Sequence, residues 1–207
     1  MQNKAVNTAF DYMTELFGSN PKCELEYKTD IDLLVAIILS AQCTDKRVNA
    51  VTVELFKKYK SINDYATANP RDLESEIHSC GFYRTKSANI IKMAQNVVTK
   101  HNGVIPADID RLITLAGVGR KTANVFLAEY HNIPRIAVDT HVTRVSNRLG
   151  FTKSQNPDVI ERDLMRIFDK QNWANYHKYL VLFGRYKCKA QRPLCNDCKL
   201  KSQCGRV

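Results

Sequence analysis

The chain has 207 residues, with 31 Lys and Arg against 21 Asp and Glu and a formal net charge of +10 at pH 7. That length can bury a sizeable core in one domain or two, and the excess of cations fits a partner with a phosphate backbone. The longest wholly apolar run, LLVAIIL at 33–39, is too short to cross a bilayer, and the first ten residues lack the basic start and apolar stretch of a signal peptide; the chain is expected to be soluble and intracellular, in the cytoplasm.

Taken in order, the elements read as helices. Thr29 with Asp32 and Ser61 with Asp64 each place a capping hydroxyl three residues before an acid. Asn69-Pro70 and Asn156-Pro157 pair a capping Asn with Pro at the first helical position. Gly18, Gly81, Gly103 and Gly150 each close an amphipathic or apolar stretch, as left-handed C-terminal residues do. No run of period-two alternation is bounded by turn signals, so the fold class is all-α, with about ten helices of ordinary length. The stretch DLLVAIILSAQ from Asp32 is apolar on nearly every face through Leu39, which predicts a central buried helix. It turns polar at Ser40 and Gln42, so that end meets a surface. The segment EYHNIPRIAVD, 129–139, is the expected crossing between domains, because Pro134 breaks the helical pattern there.

Residues 112–130, LITLAGVGRKTANVFLAEY, hold a short helix, the turn Gly117-Val118-Gly119 and a second helix with apolar positions at Val118, Thr122, Val125 and Phe126. Two glycines around one apolar residue allow a tight reversal with consecutive amides facing outward at a helix start, which suits a phosphate. An ordinary helix connection would carry the same glycines. Arg120 and Lys121 then stand in a first helical turn, where the macrodipole disfavours cations. Lys121 is either a solvated lysine tolerating that field or an amine which the field prepares for nucleophilic use.

Asp139 follows the apolar run Ile136-Ala137-Val138 and opens a helix ending at Gly150. A helix cap explains it fully. With His141, Arg144 and Arg148 on that helix it also suits a base beside a phosphate-binding face.

Seven cysteines in an intracellular chain point to metal binding or buried thiols. Cys188, Cys195, Cys198 and Cys204 are separated by six, two and five residues, and four thiolates this close can surround one metal centre. The spacing admits an iron-sulfur cluster, a zinc ion, or free or disulfide cysteines. Lys187, Lys189, Arg192, Lys199, Lys201 and Arg206 crowd the same segment, so a metal-folded loop would display cations. Cys23, Cys43 and Cys80 sit among apolar neighbours and read as core.

The ordered set LAGVGRKTANV, VDTHVTRVSNRLG and the cysteines, with LSAQCTD at 39–45 and GFYRTKSANI at 81–90, resembles endonuclease III, a family of bifunctional DNA glycosylases and abasic-site lyases of the helix-hairpin-helix superfamily. The resemblance runs over essentially the whole chain. It implies a six-helix domain at 22–133, a discontinuous helical domain from 1–21 plus 134–207, a four-iron four-sulfur (4Fe-4S) cluster in the loop 188–204, and double-stranded DNA bound across the cleft between the domains by a monomer associated with the nucleoid. On the matching positions, Lys121 and Asp139 become the catalytic pair, and Gln42 and Phe82 the residues pushed into the duplex around an extruded nucleotide. Gly117, Val118, Gly119, Arg120 and His141 complete the DNA contacts. The implied chemistry is removal of oxidised pyrimidines through a lysine imine, then β-elimination 3′ to the abasic site. Two positions depart from the family pattern: Ala116 stands where proline is usual, and the wedge position, more often aliphatic, carries Phe82, which as a bland alternative would pack in the core. A monofunctional mismatch glycosylase and a non-catalytic iron-sulfur DNA-binding module are the competing classes; Lys121 opposes the first, and covalent trapping separates the second.

Overall fold

The computed structural model describes residues 2–205, with the backbone alone for Gln2 and Asn3. Among the described residues there are eleven α-helices, two short 3-10 turns and no strand. The chain divides into two compact units, Cys23–His131 and the described parts of Met1–Lys22 and Asn132–Val207. No helix among the described residues is long and apolar enough to cross a membrane.

The unit Cys23–His131 holds α2 (Asp30–Ser40), α3 (Asp45–Lys58), α4 (Ile62–Ala66), α5 (Pro70–Glu76), α6 (Tyr83–Lys100), α7 (Ile109–Leu112) and α8 (Arg120–Tyr130). Capping boxes open α2 at Thr29 and α4 at Ser61, and Asn69 caps α5 with Pro70 in its first turn. Every residue of α2 from Ile31 to Leu39 is buried, as its apolar circumference predicts, and α3, α6 and α8 pack on it. Each fully buried Leu or Ile there stabilises the unit by roughly 1.5–3 kcal/mol.

Three expectations for this unit are corrected. Gly81 does not take the left-handed conformation that Gly18, Gly103 and Gly150 adopt; it falls one residue later, on Phe82 with φ 57° and ψ 32°, because α5 ends early and turns carry the chain to the start of α6. On α8 the fully buried face is Ala123, Asn124, Phe126, Leu127 and Ala128, while Thr122 and Val125 are only half-buried, because α2 packs on a face rotated from the one the hairpin suggested. Of the three scattered cysteines only Cys80 is core; Cys23 and Cys43 are half-buried.

The second unit is built from α1 (Gln2–Phe17), α9 (Thr140–Arg148), α10 (Pro157–Ile167) and α11 (Trp173–Tyr186), followed by the cysteine loop. Its core gathers Phe10, Phe151, Phe168 and Tyr179 with Val142, Val145, Leu180 and Phe183. Phe10 meets Phe168 edge-on at 5.0 Å between ring centroids and stacks on Tyr176 at 3.9 Å, which joins the first helix to the last two. The α9 and α11 helices approach so closely at Gly184 that a Cβ there would lie 2.8 Å from His141 Cβ, so only glycine fits.

Candidate functional site

In the hairpin, Gly117 has φ 75° and lies against the Asn89 side chain, so a side chain at this position would meet both backbone strain and a neighbour at 3.0 Å. Val118 is buried, and its amide donates to the Leu115 carbonyl at 3.1 Å. The expected run of outward amides is therefore interrupted at Val118, because the tight turn uses that donor for itself. Gly119 is the N-cap of α8 and, having no side chain, supplies no side-chain cap to it; a Cβ there would meet nothing within 4 Å. The helix start is thus open to an anion. Arg120 and Lys121 are both exposed in that first turn.

The residues expected to enter the duplex occupy two loop tips of the same unit. The C-terminal turn of α2 runs Ser40 to Cys43, with the Cys43 amide donating to the Ser40 carbonyl at 3.1 Å, Ala41 at φ −58° and ψ 113°, and Gln42 at φ 53°. That is the dihedral pattern of a type II turn, whose third position favours glycine or asparagine. Gln42 occupies it regardless, and is exposed. Phe82, also left-handed, is 66% exposed, which removes the alternative of a core phenylalanine. The two tips adjoin, since a Cβ on Gly81 would stand 3.6 Å from the Gln42 carbonyl oxygen. Non-glycine residues in this region cost about 1–3 kcal/mol each and persist where surroundings impose them, commonly at functional sites.

In the second unit Asp139 caps α9, its Oδ1 accepting from the Val142 amide at 2.8 Å, directly after the buried Ile136, Ala137 and Val138. His141 is half-buried, with Nδ1 3.0 Å from Arg144 Nη2. Burial pushes its imidazole below the ordinary histidine value, against the pull of Asp139 and with Arg144 and Arg185 adding to the depression.

Arg144 and Arg148 do not form the phosphate-binding face that their helix suggested. Arg144 donates from Nε to the Cys188 carbonyl at 3.0 Å and from Nη2 to the Gly184 carbonyl at 2.7 Å. Arg148 Nη1 reaches the Lys189 carbonyl at 2.8 Å and Cys188 Sγ at 3.2 Å. Both guanidiniums hold the cysteine loop, whose carbonyls are left without helical partners once α11 ends. Lys187, expected to be displayed, is buried and paired with Asp197 at 2.7 Å, while Lys199 is engaged by Glu15 of α1. Lys189, Arg192 and Lys201 are exposed, and Arg206 lies outside the described residues. Cys188, Cys195, Cys198 and Cys204 are half-buried, form no disulfide and line one pocket floored by Leu149, Phe183 and Leu200. They stand around that pocket without converging: among the described residues, no three His, Cys, Asp or Glu side chains are placed to hold a single ion.

Residues 35–170 match the family model of the HhH-GPD superfamily base excision DNA repair proteins. Endonuclease III of Bacillus subtilis (strain 168) is 44% identical over 97% of this chain and 92% of its own, and that of Synechocystis is 46% identical over 88% and 84%. The chain belongs to the endonuclease III family. A solved structure of a trapped endonuclease III–DNA covalent intermediate is 44% identical, covers 98% of this chain and 95% of its own, and superposes with a TM-score of 0.93. A thermostable thymine-DNA glycosylase, 18% identical, shares the fold with a TM-score of 0.88. The expected site residues from Gln42 to Lys121 lie on loop tips and one helix start of Cys23–His131, and the expected Asp139, His141 and four cysteines in the other unit. Sequence reasoning missed two sets of residues. One is the Arg144–Arg148 bracket on the cysteine loop, which depends on partners some forty residues away. The other is Lys86, whose only local signal is a cation in the first turn of α6.

Proposed function

We propose that Lys121 is the nucleophile and Asp139 its acid-base partner in the removal of oxidised pyrimidines from duplex DNA. As a member of the endonuclease III family the chain is a base excision repair enzyme, a DNA glycosylase with abasic-site lyase activity. The damaged nucleotide rotates out of the stack at a cost of a few kcal/mol. The Lys121 amine attacks the sugar C1′, the C1′–base bond breaks with its electron pair leaving on the base, and the lysine proton passes to Asp139. The C1′–O4′ bond then opens, O4′ taking a proton, to give the imine; this acidifies the neighbouring C2′ proton, and transfer of that proton to a base expels the 3′ phosphate by β-elimination. Gln42 and Phe82 fill the space around the extruded nucleotide, and the Gly117-Val118-Gly119 turn with Arg120 holds a phosphate, Val118 only by shaping the turn, since its amide is spent on the Leu115 carbonyl. His141, half-buried and pushed by burial below the ordinary histidine value, contributes a hydrogen bond to DNA.

The observation that carries this reading is the placement of an exposed lysine at a helix start that has no side-chain cap and opens on a glycine turn. Such a start binds phosphate beside the amine and so presents the sugar to it. Lys121→Gln is expected to keep specific DNA binding while losing base removal, strand cleavage and the covalent adduct formed under borohydride, which reduces only an imine. An adduct from Lys121→Gln would displace the nucleophile to another amine.

We further propose that Cys188, Cys195, Cys198 and Cys204 hold a 4Fe-4S cluster. Four half-buried free thiols lining one pocket, separated by six, two and five residues, supply the four thiolate ligands which that group takes. When bound, the cluster cross-links a loop that has too little apolar surface to fold alone.

A further inference from the structure

Lys86 is 5% exposed, a rare state for an ammonium unless its charge is matched. It stands in the first turn of α6, where the helix field repels a cation, and burial pulls it below its ordinary value. Something must offset both costs. The ammonium donates to the Leu39 carbonyl at 2.8 Å, at the C-terminal end of α2, where the helix field attracts a cation.

The carbonyls that end α2 can be accounted for one by one. Ile37 accepts from Ser40 Oγ at 2.8 Å, Ile38 from the Ala41 amide at 3.4 Å, Ser40 from the Cys43 amide at 3.1 Å, and Leu39 from Lys86. Lys86 is the single partner in that set from a distant element, reaching across 47 positions of sequence. Its own backbone amide donates to the Phe82 carbonyl at 3.0 Å, the bond that starts α6. One residue therefore holds both loop tips, Phe82 through its main chain and the turn bearing Gln42 through its side chain. Phe82 has no side-chain cap of its own to fix it, and both tips are strained backbone that relaxes if unsupported.

We propose that Lys86 is a positioning residue for nucleotide extrusion, clasping the α2 C-terminus to the α6 N-terminus so that Gln42 and Phe82 enter the duplex together. The inference rests on the reading of those two residues as the ones that penetrate DNA. It assigns Lys86 no contact with substrate and no part in the bond-breaking steps.

The test is a double-mutant cycle on the full-length, cluster-containing enzyme. It uses Lys86→Met, Phe82→Ala and Gln42→Ala, assayed on duplex DNA carrying an oxidised pyrimidine and on a single-stranded abasic oligonucleotide. Extrusion is followed separately by the fluorescence of a 2-aminopurine stacked beside the lesion. Lys86→Met is expected to lower duplex excision by roughly ten- to a hundredfold, as a small misplacement of a supporting element does, to suppress the 2-aminopurine signal, and to spare single-strand lyase activity. Combined with Phe82→Ala it should add little, because both act through the same step. Equal losses on the two substrates, or fully additive effects in the cycle, overturn the proposal. If Phe82→Ala and Gln42→Ala both excise normally, the reading of the loop tips fails and the proposal falls with it, an outcome distinct from additivity. Should Lys86→Met not fold, Lys86→Arg, which keeps the charge but moves the donor, goes through the same cycle with the same coupling expected.

Discussion

Phe82 combines 66% exposure with a left-handed backbone, and each property predicts something different. Exposure means that Phe82→Ala removes little buried surface, so its stability should change by less than about 1 kcal/mol, against the roughly 3–5 kcal/mol of a core phenylalanine. The backbone means that Phe82→Gly should hold or raise the melting temperature, since glycine adopts φ 57° without steric cost. Both variants should lose excision from duplex DNA and keep most lyase activity on single-stranded abasic DNA, which needs no extrusion. A melting-temperature drop of core size in Phe82→Ala would place the ring elsewhere. Asp139 has two roles to separate: it caps α9 through Val142, and it is proposed to take the lysine proton. Asp139→Asn keeps an oxygen that can accept the Val142 amide, so its thermal unfolding should stay near the parent's while glycosylase turnover falls more than lyase activity. The cap loss of about 1 kcal/mol belongs to Asp139→Ala. Normal turnover in Asp139→Asn would leave the residue a helix cap and nothing more.

Helix pairs decide where those residues stand. The α9–α11 contact is set at Gly184, where any Cβ would press on His141 Cβ at 2.8 Å, an atom too close to its own backbone to swing away. Gly184→Ala should therefore push the helices apart, at a cost of about 1–3 kcal/mol, and should lower turnover along with melting temperature because α9 begins at Asp139. Retention of both would mean that the contact has slack. The Arg144 and Arg148 bracket works on the same pair, fastening carbonyls of the cysteine loop to α9. These arginines look like a phosphate-binding stripe in sequence, since a helix carrying cations and no acid gives no sign of which way its guanidiniums point. The loop that follows α11 has carbonyls to satisfy, and the nearest donors are on α9.

For the molecule as a whole, the +10 charge should make duplex affinity fall linearly in log–log with salt. Arg192 is exposed on the cysteine loop with φ 47°, so Arg192→Ala should reduce that slope by about one if the loop meets a phosphate. An unchanged slope would turn this part of the loop away from DNA. The purified protein should be yellow-brown with about four iron per chain. Cys195→Ser should lower soluble yield before it affects chemistry, because loop folding and metal binding are one equilibrium. One zinc per colourless chain would overturn the cluster.

The helix starts at Thr29, Ser61, Asn69 and Asn156, the buried length of α2 and the cap at Asp139 were legible in the sequence because each is decided within a few residues, by a side chain bonding its own turn or by apolar periodicity. The motifs around Lys121, Asp139 and the four cysteines carried the family for the same reason. What only the structure decided is of two kinds. The left-handed turn that passed from Gly81 to Phe82 and the Val118 amide that turned back to Leu115 are local choices which residue type does not announce. The rotated buried face of α8 and the drawing of Lys187, Arg144 and Arg148 into the cysteine loop depend on partners further along the chain. Lys86 is the sharpest instance, since no local rule buries a cation in the first turn of a helix. Its burial is offset by a carbonyl 47 residues away, and only the packing of α6 against α2 brings the two together.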